Sequence, residues 1–368
     1  MRSVIIAVVT EATAFFDVIS NSCYYVCIVN NYSAVRIRYD NRQGGKVMNI
    51  RKFFMSTVCV LAILAAGCTP KNAATTAQKP AGGGQFLTLT DDAGRKVELA
   101  KKPVRVVSLS NSFLSFVDVV NGDLVGVVSA KAAKAKIPAK FAKLPSVGEV
   151  YNVNNEALIN LKPDLILGNK NQHEKLVPIL EANHIPVFLF STKSYDDVKR
   201  TLTSIGKIYG NEAAATAKIK TMDDEIAGIV AKVPKKQLKI AIIHATPSNV
   251  TVELDGSIAG DAAKRLGFVN IASGRNPIKN NPEKTPYSME IMVEQNPDII
   301  FITSMGEQNK IEERLKADIK SNPSWNSLQA VKNNKIYILP ENLFLLNPGL
   351  DYPQAIKFMA KTVYPEAF

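Results

Sequence analysis

Three histidines are the side chains of this sequence best suited to binding a transition metal. His244 closes a β-rich run, at the strand end that would face a cleft, and we expect it to contact a ligand. His173 precedes a glutamate, as in zinc-peptidase helices, but the second histidine of that motif is absent and a surface loop is expected. His184 precedes its strand, at the opposite edge. Two imidazoles cannot complete a tetrahedral zinc site without carboxylates.

Catalytic signatures are absent from the sequence, which has no G-x-S-x-G elbow, no P-loop and no G-x-G-x-x-G motif opening a helix. The last 300 residues contain no cysteine, which excludes a disulfide framework or a cysteine nucleophile there. The cysteines are Cys23, Cys27, Cys59 and Cys68. The sequence therefore favours binding over catalysis. An extracytoplasmic hydrolase stays open only if a nucleophile and a base pair in the cleft.

Length and charge narrow the class of protein further. The 368 residues suffice for two domains, and 46% hydrophobic with 21% charged residues is typical of a folded soluble protein. The net charge is +12, but the lysines are scattered, without an arginine-rich stripe interleaved with aromatics. We therefore expect no nucleic-acid partner.

A signal peptide is expected over residues 48–67. Two basic residues precede a 14-residue apolar run over 53–66, and small residues then lead into Cys68. Such a run is too short to cross a hydrocarbon core of about 30 Å as a helix. The small residues before the cysteine resemble the bacterial lipobox, although Ala65 stands where leucine is commoner. The resemblance implies that Cys68 is lipidated and becomes the N-terminus.

The segments on either side of this signal also have an interpretation. Residues 68–87 lack apolar periodicity and include three consecutive glycines, which predicts a flexible tether. Because a signal peptide begins near an N-terminus, residues 1–47 are expected to be upstream sequence outside the native product. The folded part would then be extracytoplasmic and anchored to the bacterial cell membrane through Cys68.

Behind the tether, β-rich runs alternate with helical patterns, as in α/β units with parallel strands. Strands are predicted over residues 104–109, 124–128, 164–168, 186–190, 238–244, 298–303 and 335–339. Apolar residues at steps of three and four over 211–233 predict one long helix, capped by Asn211 and stopped by Pro234. We therefore expect an N-terminal lobe over 88–210, a connecting helix over 211–234 and a C-terminal lobe over 235–368.

An internal repeat relates the two sets of strands at an offset of 134 residues. Glu156 and Glu290 are each followed, seven residues later, by Pro-Asp and an apolar run. The same offset aligns the first strands of the two sets. Two lobes of like topology are predicted. Each glutamate also lies in the first turn of a predicted helix, where the dipole alone stabilises a carboxylate by about 0.3–1 kcal/mol.

Ligands of open parallel sheets bind beyond the carboxyl ends of the strands, and both lobes would turn those ends toward one cleft. The segments there supply mostly uncharged hydrogen-bonding groups, which suits a bulky polar ligand. The candidate ligand-binding residues are Ser110, Asn111, Glu149, Tyr151, Asn169, His244, Thr246 and Met305.

Residues 91–110, 144–168 and 322–344 resemble ABC-transporter substrate-binding proteins for iron siderophores, haem and cobalamin. The similarity extends from about residue 88 to the C-terminus. It implies an α/β protein of two Rossmann-like lobes with mainly parallel sheets, joined by a single long α-helix, the class III type of periplasmic binding protein. It also implies a monomeric carrier, not an enzyme, with no intrinsic cofactor and only a few degrees of closure.

The resemblance further implies a role for the repeated glutamates. In the family, one surface glutamate on each lobe docks on arginines of the membrane permease, and these positions fall on Glu156 and Glu290. The expected partners are therefore an ABC permease dimer with its ATPase subunits and a small-molecule metal chelate.

The ligand stays open between a siderophore-type ferric chelate, haem and a cobamide. In many haem carriers of this type, a tyrosine directly after the glycine of the corresponding turn ligates iron. Here Glu149 follows Gly148, and Tyr151 stands two residues further on. His244, with Met305 or Tyr151, is a possible axial ligand for haem iron.

A lipoprotein that binds a bare transition-metal ion is the alternative. It requires His173, His244 and Glu149 to converge on one point in the cleft, because such a site needs three or four ligands.

Overall fold

A computed structural model describes the chain in two compact units, Met1–Pro80 and Ala81–Phe368. In the first unit it describes the backbone of the strands only. From residue 86 onward it describes the chain except for 130–136, 247–248, 305–312, 314–316, 318–320 and 347. Cys68, most of the predicted signal peptide and nearly all of the predicted tether therefore lie outside the described residues. Within those residues, no helix combines the length and apolar character needed to cross a bilayer.

The first unit contains an antiparallel sheet in which each strand pairs with the next along the chain. Its strands are β1 (Ile5–Val9), β2 (Ala12–Ile19), β3 (Ser22–Val29), β4 (Arg36–Asp40) and β5 (Val47–Met48). That residues 1–47 are upstream sequence stays a prediction.

The N-terminal lobe of the second unit is built on a parallel sheet in the order β13-β12-β8-β9. Its strands are β8 (Val106–Ser108), β9 (Gly126–Val127), β12 (Leu165–Asn169) and β13 (Val187–Phe190), with hairpins β6 (Leu87–Thr90)–β7 (Lys96–Leu99) and β10 (Gly148–Glu149)–β11 (Asn152–Val153). Its helices are α1 (Leu114–Val119), α2 (Asn155–Asn160), α3 (Lys170–His173), α4 (Val177–Ala182) and α5 (Tyr195–Tyr209).

The C-terminal lobe repeats this order, in reverse listing, as β16-β14-β18-β19. It adds β15, which pairs antiparallel with β14, and β17, which pairs antiparallel with β15. The strands are β14 (Lys239–Ala245), β15 (Val250–Glu253), β16 (Val269–Asn270), β17 (Lys284–Pro286), β18 (Ile299–Ser304) and β19 (Ile336–Ile338). The helices are α6 (Glu212–Val230), which links the lobes, then α7 (Ile258–Arg265), α8 (Met289–Gln295), α9 (Gln329–Lys332), α10 (Glu341–Phe344) and α11 (Tyr352–Val363). All seven predicted strands are confirmed, with ends shifted by at most two residues.

The repeat is confirmed at the level of individual hydrogen bonds. Leu165 pairs with Val106 in the first lobe, and their counterparts 134 residues later pair in the same register in the second. The carboxylate of Asp164 accepts a hydrogen bond from the Arg105 amide at 2.8 Å, and Asp298 accepts from the Lys239 amide at 2.9 Å. The repeated Pro-Asp therefore ties the start of one central strand to the start of its neighbour in both lobes.

The connecting helix also forms where the periodicity predicts it. The Asn211 side chain caps it by accepting from the Ala214 amide at 3.3 Å. The regular helix ends at Val230, and Val233, before the predicted proline stop, is in a turn but still buried. Two residues separate α5 from α6. The first is Gly210, whose φ of +67° is a left-handed conformation that glycine adopts without strain.

Two further helices join α6 in linking the lobes, which the sequence pattern does not predict. One cluster of buried apolar residues extends from the first sheet through α5, α6 and α11 to the second sheet. At the junction, Asp261 Oδ2 accepts from the Tyr195 amide at 3.0 Å and from the Tyr352 hydroxyl at 2.8 Å. Arg265 Nε donates to the same oxygen at 2.8 Å.

The junction has the protonation states that these bonds need. Burial and the neighbouring Asp261 raise the pKa of the Tyr352 phenol well above its ordinary value, so the phenol remains a donor. A second link is the Lys193–Glu283 ion pair, at 3.1 Å. The lobes are thus held by a shared core, a buried hydrogen-bonded carboxylate and an ion pair, which is consistent with limited closure.

Replacing Asp261 tests this junction. We expect Asp261→Asn to lower the free energy of unfolding by about 1–3 kcal/mol, because the buried donors lose a charged acceptor. Equilibrium unfolding in urea, monitored by far-ultraviolet circular dichroism, measures the change. The control Asp224→Asn breaks an exposed ion pair with Lys220 and should cost less than about 0.5 kcal/mol. Equal effects of the two substitutions would contradict a structural role for the junction.

Candidate functional site

The carboxyl end of β8 carries two of the candidate residues. Ser110 is buried and caps a short 3₁₀ helix by accepting from the Ser112 amide at 3.3 Å. Asn111 Nδ2 donates to the Ser129 carbonyl at 3.1 Å, while Oδ1 is buried with no hydrogen-bond partner among the described residues. An unsatisfied buried acceptor is costly, so this oxygen is suited to receive a donor from a ligand or water.

His173 is the last residue of α3, the short helix that follows the carboxyl end of β12, and the expectation of a surface loop is wrong for it. The residue is only 1% exposed. Its Nδ1 accepts from the Asn169 amide at 2.9 Å, which requires Nε2 to carry the proton and donate to the Val150 carbonyl at 2.8 Å. Burial lowers the pKa of His173, an effect that the hydrogen bond to the Val150 carbonyl only partly offsets. Both ring nitrogens are therefore used to hold the β10–β11 hairpin against β12.

That hairpin presents Tyr151, which is 76% exposed. An exposed aromatic on a turn fixed by a buried histidine can contact a ligand without rearrangement. Glu149 is exposed on the same hairpin, whereas Asn169 uses its side chain to cap α3 by accepting from the Asn171 amide at 3.0 Å. Beside the tyrosine is a pocket of about 470 Å³. Its lining residues are Tyr151, Lys170, Asn171, Gln172, Glu174 and Lys175.

The opposite lobe presents His244 near the carboxyl end of β14. The residue is 5% exposed, and its Nδ1 lies 3.0 Å from Thr303 Oγ1 on β18. The Thr303 hydroxyl in turn donates to Glu253 Oε1, which is 3.5 Å from the same Nδ1. Burial would raise the pKa of Glu253, but hydrogen bonds from His244, Thr303 and Ser257 outweigh it and hold the pKa below its ordinary value. Glu253 is therefore an ionised carboxylate that is 2% exposed.

Glu253 is a residue that sequence reasoning missed. Its strand, β15, is antiparallel to β14 and is not among the seven strands predicted from the sequence. The available signal was a single glutamate ending the run Val-Thr-Val-Glu, of which the last three residues are buried. Acidic residues are rarely buried without a partner, but only the fold supplies that partner.

The remaining candidates are distributed as follows. The Thr246 hydroxyl accepts from the Asn249 amide at 3.0 Å. Met305 lies outside the described residues. His184 is exposed and precedes β13 by three residues. No three histidine, cysteine, aspartate or glutamate side chains of the described residues are placed to hold a metal ion. His173, His244 and Glu149 therefore do not converge, contrary to what a bare-metal site requires.

Glu156 and Glu290 occupy matching places in the two lobes. Each is exposed in the first turn of a helix, α2 or α8. The caps also match, since Asn154 accepts from the Ala157 amide and Ser288 from the Ile291 amide, 134 residues apart in both cases. The helix dipole stabilises both carboxylates locally, and their exposure leaves them accessible to a partner.

Known proteins provide a comparison for this arrangement. The high-affinity heme uptake system protein IsdE of Staphylococcus aureus (strain MRSA252) is 24% identical over 247 residues, which is 65% of this chain and 81% of that protein. A crystal structure of an ABC transporter substrate-binding protein from Listeria monocytogenes EGD-e matches with a TM-score of 0.64 and 25% identity, covering 72% of this chain and all of that one. S. aureus SirA complexed with staphyloferrin B matches with a TM-score of 0.59 and 22% identity, covering 76% and 98%.

The model of the family described as periplasmic binding protein matches residues 106–343, most of the second compact unit. Its members are extracytoplasmic binding proteins, and the class III architecture predicted from the sequence is confirmed. The chain belongs to the periplasmic binding protein family.

Proposed function

We propose that this protein is the substrate-binding component of an ABC importer and captures an iron chelate, haem in the first instance, between its two lobes. The family match supports the carrier role. The relative named for heme uptake and the fold shared with a staphyloferrin B complex support a ferric chelate as the cargo. A haem and a ferric siderophore share an iron centre and peripheral anionic groups.

The observation that carries the proposal is the presentation of Tyr151. A phenol oxygen is a good ligand for ferric iron, as the tyrosine ligand of haem in catalase illustrates. The ring is largely exposed, and buried His173 fixes the hairpin that carries it. Lys170 and Lys175 line the adjacent pocket with one carboxylate, Glu174. This balance of charge favours an anionic cargo such as the propionate edge of haem.

In this role the site binds its ligand and breaks no covalent bond. Thr303 already donates its proton to Glu253, so its oxygen can only accept from His244, and the imidazole is not placed to activate that hydroxyl as a nucleophile. Capture by preformed contacts on rigid lobes is what a carrier needs, because little binding free energy is then lost to ordering.

Delivery completes the proposed role. Glu156 and Glu290 would dock on cationic pockets of a two-fold permease, one from each lobe, through charge-assisted contacts. Lipidated Cys68 and the tether behind it would keep a monomeric carrier close to that permease in the membrane.

Haemin binding tests the cargo. We expect the purified full-length protein to give a shifted Soret band with haemin. Tyr151→Phe should lose the phenolate-to-iron charge-transfer absorption, and Tyr151→Ala should weaken affinity at least about tenfold, equivalent to about 1.4 kcal/mol. A spectrum of Tyr151→Phe identical to wild type would contradict iron ligation. If haemin gives no Soret shift while a ferric catecholate or carboxylate chelate quenches Trp325 fluorescence, the cargo is a siderophore.

Charge reversal tests docking. We expect Glu156→Lys with Glu290→Lys to reduce cargo uptake by cells about tenfold or more, since two anionic contacts become repulsive. Cargo affinity of the purified variant should stay at the wild-type value. Glu212→Lys is the matched control, because Glu212 is also an exposed glutamate in the first turn of a helix, α6. Equal uptake by the double variant and this control would refute docking through the repeated pair.

The pH dependence of the unfolding free energy tests whether His173 supports the Tyr151 hairpin. Because burial lowers the pKa of His173 in the folded state, protons bind the unfolded state more readily. The stability it contributes is fully present above its unfolded pKa of about 6.5 and is lost as the pH falls below that value. Unfolding free energies at pH 7.5 and 5.5 should differ in wild type and in His184→Gln, and the difference should shrink in His173→Gln. An unchanged difference in His173→Gln would mean that another group is responsible.

A further inference from the structure

A buried chain of three side chains crosses the sheet of the C-terminal lobe. His244 on β14, Thr303 on β18 and Glu253 on β15 are each 5% exposed or less. Thr303 Oγ1 is 3.0 Å from His244 Nδ1 and donates to Glu253 Oε1. We call these three residues the relay.

The number of available protons determines which group donates and which accepts in each hydrogen bond of the relay. A hydroxyl has one proton to donate, and Thr303 gives it to an ionised carboxylate that can only accept. The contact between Thr303 and His244 must therefore be a donation from the ring, so Nδ1 carries a proton. In the neutral ring, Nε2 is left with a lone pair. The opposite tautomer holds in His173, whose Nδ1 accepts from an amide.

The lone pair of His244 has no use within the described part of the chain. No hydrogen bond of Nε2 is found there. Nε2 is also absent from the fully buried atoms that lack a partner, so it keeps some access to solvent. Thr251 pairs with His244 across the two strands, is 7% exposed, and has a buried hydroxyl without a hydrogen-bond partner among the described residues. Two adjacent polar groups near the carboxyl end of β14 therefore make no hydrogen bond within that part of the chain, at the edge where ligands of such sheets bind.

Stability alone does not account for the relay. Burying a carboxylate costs several kcal/mol, and apolar residues of similar volume commonly replace buried charged groups without loss of stability. A histidine whose Nε2 meets a metal centre usually donates its Nδ1–H to a fixed acceptor such as a carboxylate. Here the acceptor is the Thr303 hydroxyl, which is itself fixed by the Glu253 carboxylate.

We propose that Thr303 and Glu253 are positioning residues, which hold His244 in its Nδ1-protonated form so that Nε2 meets the bound chelate from the C-terminal lobe. This inference rests on the proposed function, with Tyr151 meeting the same cargo from the N-terminal lobe. Thr251 is left to accept or donate one hydrogen bond at the periphery of the cargo.

Nitrogen NMR of the histidine rings tests the relay without any cargo. The chain has only three histidines, so each ring can be assigned by single replacement in the ¹⁵N-labelled full-length protein. At pH 7.5, His244 should show a protonated Nδ1 and His173 a protonated Nε2. Protonation of His244 at Nε2 in the neutral ring would overturn the relay, whatever the cargo is.

Haemin titration tests the contact with cargo. We expect His244→Ala to change the Soret position and the spin state of bound haemin, and Thr303→Val and Glu253→Gln to lower affinity about tenfold or more. Thr303→Ser keeps the hydroxyl and should restore wild-type behaviour. Thr285→Val is the matched control, since Thr285 is a buried threonine of the same lobe whose hydroxyl donates to the Asn276 carbonyl.

The outcomes separate the two proposals. A wild-type Soret shift that is the same in His244→Ala overturns the contact and leaves the proposed function standing. No Soret shift in the wild type overturns haem as the cargo, while the ring tautomers still decide the relay. If Thr303→Val fails to fold, the Glu253→Gln titration decides, and a wild-type affinity of that variant for haemin would overturn the positioning role of Glu253.

Discussion

The junction around Asp261 is the constraint on which the rest of the structure depends. One carboxylate oxygen accepts hydrogen bonds from the start of α5, from the first residue of α11 and from a side chain of its own helix α7. Around it, apolar residues of both sheets and of α5, α6 and α11 form one core. Lobes joined in this way cannot rotate far without opening a buried core, so their binding groups have to be in place before cargo arrives. This explains why the Tyr151 hairpin and the His244 ring are each held by specific buried hydrogen bonds.

The duplicated strand clamp explains how two lobes of different surface chemistry share one frame. In both lobes an aspartate ties the starts of the two central strands. The basic residue bound to it, Arg105 or Lys239, also reaches a carbonyl at the end of the helix that precedes the aspartate, that of Leu161 or Gln295. These contacts lie at the amino ends of the strands. The carboxyl ends, where ligands bind, are consequently free to diverge in sequence without altering the frame.

Much of the fold follows from sequence pattern, because strand alternation, the 134-residue repeat and the periodicity of α6 can be read without knowledge of tertiary contacts. The site divides differently. Tyr151 is accessible from sequence because it follows the glycine turn of the hairpin, and exposure suits it for binding. The roles of His173 and Glu253 are inaccessible, because each is decided by partners from elsewhere in the chain: the Val150 carbonyl for His173, and Thr303 and His244 for Glu253. Ser110, Asn169 and Thr246 show the converse, since side chains suited to ligands also bond within the chain, to the Ser112, Asn171 and Asn249 amides.

The two buried histidines show how hydrogen-bond direction separates the structural role of His173 from the binding role proposed for His244. Both ring nitrogens of His173 are hydrogen-bonded to backbone groups, so neither is available to a ligand. In His244, Nδ1 is hydrogen-bonded to Thr303, and Nε2 stays available near the carboxyl end of a central strand. Residue type and burial are the same in the two cases. The difference lies in which atom receives the proton, and a carboxylate 50 residues from Thr303 in the chain determines it for His244. In a frame that moves little, setting one proton in advance lets a stiff lobe offer a lone pair without reorganisation on binding.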